Sequence, residues 1–240
     1  MRNLIPKEKL KNLAQEYGIT LDDAQIDKFD MYASTLVEWN QKMNLTAITE
    51  PDDIVVKHFV DSLLLLKAYD VPKNATMIDV GTGAGFPSVP VAIARDDIKL
   101  TLLDSLNKRI NFLTHVCNEL KIPAKAIHSR AEDGAKKPPL RQSFDVATAR
   151  AVAHLRELSE YCLPYVKKGG YFVALKGYEI EQELEEAKKA ISLMGGKIKK
   201  VEKYILADDS KRSIVIIEKV APTPNQYPRP SAKIAKSPIK

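Results

Sequence analysis

Cysteine is nearly missing from this chain of 240 residues: Cys117 and Cys162 are the only two, far apart and within helix-like patterns. Such thiols read as reduced core residues, which excludes a disulfide framework. Long apolar runs are missing as well. No uncharged stretch approaches the roughly 18 residues a membrane-spanning helix needs, and Met1 to Leu13 lacks the apolar core of a secretory signal. A cytoplasmic location is therefore expected. The four histidines, His58, His115, His128 and His154, lack metal-ligand spacing, so no metal is expected. With 45% hydrophobic and 28% charged residues the chain can bury a sizeable core, and collagenous, fibrous or wholly disordered readings fall away.

Glycine is scarce too, at ten residues, yet three of the ten fall between Gly81 and Gly85. They follow the apolar run Met77-Ile78-Asp79-Val80 and precede Phe86-Pro87 and an apolar helical stretch. Gly81, Gly83 and Gly85 are entropically costly unless the backbone needs positive φ or a ligand must approach closely. A strand, a glycine turn and a helix in that order form a nucleotide-type binding turn. The dinucleotide spacing Gly-x-Gly-x-x-Gly fits poorly, because the sixth position from Gly81 is Phe86 and from Gly83 is Ser88. A carboxylate at Asp79 repels a pyrophosphate but pairs with an ammonium, such as the amino-acid end of S-adenosylmethionine carries. A sulfonium cofactor is favoured, and NAD remains the alternative.

The next apolar run, Ile98 to Leu103, ends in Asp104, about 20 residues past the last glycine, where a carboxylate can accept hydrogen bonds from ribose hydroxyls. The competing reading of Asp104 is a solvent-facing cap for the helix that Ile110, Phe112, Leu113 and Val116 outline.

Helical periodicity dominates residues 1–70, where Thr20 with Asp23 reads as a near capping box and Thr49 as an N-cap ahead of Pro51. Strand and helix patterns alternate over residues 71–220, which calls for a mostly parallel sheet with helices on both faces. Strands are expected at 76–80, 98–103, 124–128, 144–149 and 170–176, followed by an antiparallel hairpin of Lys197 to Leu206 and Lys211 to Glu218. Residues 221–240 are basic and proline-rich. Lys219 to Lys240 holds five basic residues and no acid, so nearly all of the net charge of +6 lies there. An extended, weakly structured arm with Tyr227 free to stack on a base suits nucleic acid, although a solvated terminus is the plainer reading.

The sequence resembles a known family, the bacterial small-subunit (16S) ribosomal RNA guanine-N7 methyltransferases (RsmG, once glucose-inhibited division protein B). The matching stretches are Trp39-Asn40, Asn44 to Ile48, His58 with Asp61-Ser62-Leu63, Asp79 to Pro87, Leu103-Asp104-Ser105 with Lys108-Arg109, Arg130-Ala131-Glu132, Ala149 to Ala153, Lys176-Gly177 and Tyr227-Pro228-Arg229. They are collinear over nearly the whole chain. The resemblance implies a class I, Rossmann-like methyltransferase fold with a helical N-terminal extension. It places the methionine part of S-adenosylmethionine at Gly81 and Phe86, the ribose at Asp104, Ser105 and Leu106, and the adenine at Ala131 and Glu132. Arg150 would stand beside the methyl group and the incoming base, as the one catalytic residue. Asn44, Thr46, His58, Asp61, Lys176 and Arg229 would meet the RNA, as naked rRNA or assembled subunit, and the protein would act as a monomer. Two departures stand out: Ser88 replaces the usual glycine after Phe86-Pro87, and Ser231 to Lys236 replaces a Gly-Thr-Pro run.

Guanine N7 carries a lone pair and no proton, so its methylation needs no general base. Other acceptors lose support. The Asp/Asn-Pro-Pro-aromatic element of exocyclic amine methylases is absent after the fourth strand, and no Pro-Cys pair supplies the thiolate of carbon-5 methylation. His58 and Asp61 can equally be a hydrogen-bonded pair on one helix, Arg150 a partner of Asp145 or Glu132, and Lys176 a residue lining the sheet end. An NAD-linked oxidoreductase and a non-catalytic RNA-binding protein on the same fold are the rival functions.

Overall fold

A computed structural model describes residues 3–150 and 152–239. Met1, Arg2, Ala151 and Lys240, which enter the leader, strand-tip and tail readings above, lie outside the described residues. At the centre β1 (Thr76–Val80), β2 (Lys99–Asp104), β3 (Ala124–His128), β4 (Phe144–Arg150) and β5 (Val166–Gly177) lie parallel. Strand β6 (Gly196–Ile205) forms the edge, and β7 (Lys211–Lys219) inserts antiparallel between it and β5, giving the order β3-β2-β1-β4-β5-β7-β6. The strand order reverses between β1 and β4, the place where an open α/β sheet leaves a crevice at its carboxyl edge.

Alternation along the strands sends side chains to two cores. Met77, Leu100, Leu102, Val146, Val173 and Ile214 face one, and Ile78, Leu103, Ala147, Phe172, Val215 and Ile217 face the other. Helices α1 (Lys7–Glu16) and α2 (Asp23–Asn40) pack on the first face with a long helix made of α3 (Pro51–Asp53), a π-helical stretch Ile54–Val60 and α4 (Asp61–Ala68). α5 (Ser88–Ala94) and α6 (Asn107–Glu119) complete that layer. After the single turn α7 (Ala131–Gly134), α8 (Leu155–Cys162) and α9 (Glu181–Leu193) cover the second face. The helical lead thus shares one apolar cluster with the sheet rather than having its own. The free thiols Cys117 and Cys162 are both buried. Among the described residues no helix is long and apolar enough to cross a membrane.

The cap expectations shift by one or two residues. Thr20 turns its hydroxyl to Gln15, and the capping box at the start of α2 is formed by Asp22 and Gln25. Gln25 also donates to the last carbonyls of α5, at Ile93 and Ala94, so one side chain closes two helix ends. Glu50, not Thr49, precedes Pro51 at the next helix start.

The tail departs most from expectation. The Lys219 ammonium is buried and donates to the carbonyls of Leu163 and Met194, at 2.9 and 2.6 Å, and to the Thr223 hydroxyl. Burial, and then Arg141, push its pKa down to about 7. Arg141 in turn gathers the carbonyls of Thr223, Pro224 and Tyr227. Arg229 forks onto the buried Glu160 carboxylate at 2.7–3.1 Å, and Ile234 of α10 (Ser231–Lys236) is fully buried. Tyr227 packs against the second core. A solvated arm with a free tyrosine and a free arginine is therefore incorrect, because the buried Glu160 carboxylate claims Arg229 and the second apolar core takes the Tyr227 ring.

Gly85 has φ +98, and a Cβ there would stand 2.7 Å from the Tyr32 hydroxyl and 2.8 Å from a Val89 methyl, whereas Gly83 opens on free space. Gly85→Ala is expected to cost about 3 kcal/mol through overpacking and strain, and Gly83→Ala about 1 kcal/mol through its left-handed backbone alone. Urea unfolding of both variants checks this, and equal losses would refute it.

Candidate active site

The glycine turn is tied down from three sides. The amides of Gly81 and Thr82 donate to the Leu103 carbonyl at the end of β2, at 2.8 and 3.2 Å. From below, the buried Tyr32 of α2 donates its hydroxyl to the Ala84 carbonyl at 2.5 Å. From the sheet, Asp104 accepts from the Gly83 amide at 3.0 Å and the Leu106 amide at 2.9 Å, with Arg109 3.4 Å away. Asp104 is 2% exposed. It is no solvent-facing cap; it couples the turn to the start of α6.

Asp79 lies fully buried beneath the same turn. Its Oδ2 accepts hydroxyls from Thr82 at 2.9 Å and Ser88 at 2.6 Å, while Oδ1 has no partner. A buried acceptor without a donor is costly, and it marks a place where a cationic or donating group is wanted. Burial raises the Asp79 pKa to about 7 against the pull of Ser88, Thr82 and Arg150. The departure at Ser88 thus has a structural role: its hydroxyl supports Asp79 rather than crowding the helix.

Two clefts open at the carboxyl edge of the sheet. The smaller, about 360 Å³, lies over the ends of β1, β2 and β3, with Gly81, Ser105, Arg130, Ala131 and Glu132 among its walls. The larger, about 590 Å³, lies between the lead helices and the tips of β4, β5 and β7, lined by Lys57, His58, Asp61, Arg150, Lys176 and Arg212, among others. Val152 and Ala153 line both. A Cβ on Gly81 would meet the Val152 methyls at 3.2 and 3.3 Å, so the missing side chain lets this partition close over the turn.

The larger cleft is organised by Arg150. Its guanidinium donates to Asp61 Oδ2 at 2.7 Å, the Lys57 carbonyl at 3.1 Å and His58 Nδ1 at 3.1 Å, and it lies 4.8 Å over the Phe86 ring. Phe86 is sandwiched between His58, at 4.3 Å, and Tyr32, at 5.4 Å. Because a guanidinium only donates, His58 Nδ1 is the acceptor and Nε2 carries the hydrogen, which it gives to Thr46 Oγ1 at 2.8 Å. Asp61 is 4% exposed and its second oxygen takes Arg212 Nε at 3.0 Å, so one carboxylate joins two arginines. His58 and Asp61 are not paired with each other, and Arg150 meets neither Asp145 nor Glu132. Lys176 holds the Ala153 carbonyl at 2.7 Å and Glu183 at 2.6 Å.

The structure therefore brings Thr46, His58, Asp61, Arg150 and Lys176 together in one place, and Gly81, Ser105, Ala131 and Glu132 in the adjoining one. Asn44 is exposed on the loop before Thr46, and Leu106 is exposed ahead of α6. Phe86 stands 6% exposed inside an aromatic stack and, like Asp79 and Asp104, lies behind the walls of the smaller cleft. Arg229 lies elsewhere, on Glu160. Sequence reasoning missed Arg212, which has no local signal and reaches the site only because β7 inserts beside β5, with Gly177 level with Arg212. Among the described residues no group of three His, Cys, Asp or Glu side chains could hold a metal ion.

A sheet in this order, with a glycine turn after β1 and an acid at the tip of β2, defines a class I methyltransferase. The fold is similar to geranyl diphosphate C-methyltransferase from Streptomyces coelicolor (TM-score 0.52, 12% identity, 66% of this chain and 78% of that one). It is likewise similar to TrmN from Thermus thermophilus (TM-score 0.53, 16% identity, 67% of this chain and 48% of that one). In sequence the chain is 50% identical over 233 residues to ribosomal RNA small subunit methyltransferase G of Clostridium perfringens strain 13, covering 96% of this chain and 98% of that protein. The family model for rRNA small subunit methyltransferase G, GidB, matches residues 25–215. The chain belongs to that family, and the oxidoreductase alternative falls.

Burial, and then Arg150, lower the His58 pKa to about 3. An unfolded chain takes up that proton near pH 6.5, so stability is lost as pH falls from about 6.5 towards 3. Asp79 acts in the opposite sense: the folded carboxyl keeps its proton up to about 7 while the unfolded one releases it near pH 4, so that contribution shrinks between about 4 and 7. The His58 ring signals are expected to show no titration above about pH 4 by NMR, and His58→Gln to flatten the acid side of the stability profile. Titration near 6.5 would contradict the buried, neutral ring.

Proposed function

We propose that the protein transfers the methyl group of S-adenosylmethionine to N7 of a guanine in small-subunit ribosomal RNA, with cofactor in the smaller cleft and base in the larger. Two adjoining clefts that share the Val152–Ala153 partition, above a buried carboxylate with one bare oxygen, carry this reading. The residues present fit the cofactor. Asp79 Oδ1 suits its ammonium, directly or through one water, and the glycine turn admits its methionine part. Asp104 and Ser105, with Leu106 beside them, suit the ribose, and Ala131 and Glu132 the adenine. When bound, the sulfonium supplies an activated methyl group.

The chain's own part is positioning. N7 offers a lone pair and no proton, and no base is needed; orientation of two bound reactants supplies about 7–11 kcal/mol in well-aligned cases. Arg150 and Arg212, fixed by Asp61, with Lys57 at the rim, present cations where an RNA backbone enters, while Lys176 is held by Glu183 and braces the Ala153 carbonyl. Neutral His58 and Thr46 offer an uncharged hydrogen-bonding wall. Asp61 already balances two guanidinium groups. The protein would act in the cytoplasm as a monomer without metal, on rRNA or on the assembled subunit.

Transfer of a labelled methyl group to rRNA from cells lacking the activity, followed by mapping, is expected to mark one guanine at N7; label on an exocyclic amine or a ribose would overturn the acceptor. Asp61→Asn, which loosens both arginines, is expected to lower turnover about 100-fold with cofactor affinity little changed. Calorimetry of S-adenosylhomocysteine binding at pH 6 in buffers of different ionisation enthalpy should show release of about one proton, absent in Asp79→Asn. No release in the wild type would remove Asp79 from the ammonium site.

A further inference from the structure

The C-terminal segment, expected from its charge to be an RNA-binding arm, ends its course at the smaller cleft. Ser231, at the start of α10, is one of that cleft's walls, together with Glu157 and Tyr161 of α8. Its hydroxyl takes a long hydrogen bond from Arg130, at 3.4 Å, across 101 residues of sequence. The path to that point is fastened at successive places: Lys219 on two carbonyls, Arg141 on three, Arg229 on the 1% exposed Glu160, and Ile234 in an apolar seat. The Arg229 amide also donates to Glu160 at 2.7 Å, so both backbone and side chain hold this corner.

We propose that residues 221–236 form a strap that completes the cofactor cleft and contacts the adenosine half of the cofactor. This rests on the cofactor assignment above. The cleft runs outward from the glycine turn, over the tips of β2 and β3, and the strap closes its outer end, away from Asp79. The polar inventory there suits an adenine edge, which presents an amino donor and ring-nitrogen acceptors. Among the described residues the Glu132 carboxylate has no hydrogen bond or ion pair and can accept, while Arg130 and Ser231 can donate. The strap's basic residues are then anchors for a nucleoside pocket, and the segment contributes to cofactor affinity rather than to RNA capture.

Calorimetric titration of the full-length protein with S-adenosylhomocysteine and with 5′-methylthioadenosine, which lacks the amino-acid end, tests this. Ser231→Trp fills the rim of the cleft without touching an anchor, and Ile234→Asp lifts α10 from its seat. Each variant is expected to weaken both nucleosides by the same factor, about tenfold or more, with RNA affinity unchanged by filter binding. Asp79→Asn should weaken the homocysteine compound alone. Unaltered nucleoside affinity in Ser231→Trp, or lost RNA binding with intact nucleoside binding, would overturn the strap. If Ile234→Asp proves unfolded by circular dichroism, Ser231→Trp decides. A wild-type protein that binds neither nucleoside would instead overturn the cofactor assignment on which the strap rests.

Discussion

One buried carboxylate, Asp61, holds the two guanidinium groups that shape the larger cleft. Its partners come from distant parts of the chain, Arg150 from the tip of β4 and Arg212 from the start of β7, at 2.7 and 3.0 Å. A buried ion pair adds little net stability over an apolar replacement, yet removing one partner leaves an uncompensated charge in a poorly solvated place. Such a cluster is therefore better understood as a register device. It requires the lead helix, the fourth strand and the inserted strand to meet in one arrangement. The aromatic stack of Tyr32, Phe86 and His58 extends that requirement to the glycine turn, because the same ring that carries Arg150 also follows the third glycine.

The two acids at the strand tips look alike in sequence and differ in chemistry. Asp104 has its oxygens engaged by the Gly83 and Leu106 amides, with Arg109 alongside. Asp79 is satisfied on one oxygen only and is pushed towards neutrality by its burial. The first therefore braces the turn, while the second keeps one oxygen without a hydrogen-bond partner among the described residues. Two hydroxyls, from Thr82 and Ser88, keep the half-satisfied carboxyl oriented.

Local physics makes much of this legible in the sequence alone. Apolar runs bounded by acids and glycines located the parallel strands to within a few residues, and glycine scarcity made the cluster at 81–85 informative. Helix starts were placed less well, since Thr20, Asp22 and Asp23 are all competent caps and only the tertiary contact of Gln25 with α5 selects among them. Arg212 was invisible because its position depends on a strand insertion that no short-range pattern encodes. The tail was misread for a different reason. Five basic residues and five prolines describe a solvated arm equally well as a strap, and the buried acid that distinguishes them, Glu160, stands 69 residues away from Arg229.

The Val152–Ala153 partition belongs to both clefts, and its Ala153 carbonyl is gripped by Lys176 from the larger one. A shared wall makes the two occupants thermodynamically conjugate: whatever factor one ligand imposes on the other's affinity by shifting those residues, the second must return in full. A substitution within this short stretch of backbone then alters cooperativity between the occupants of the two clefts even where neither is touched.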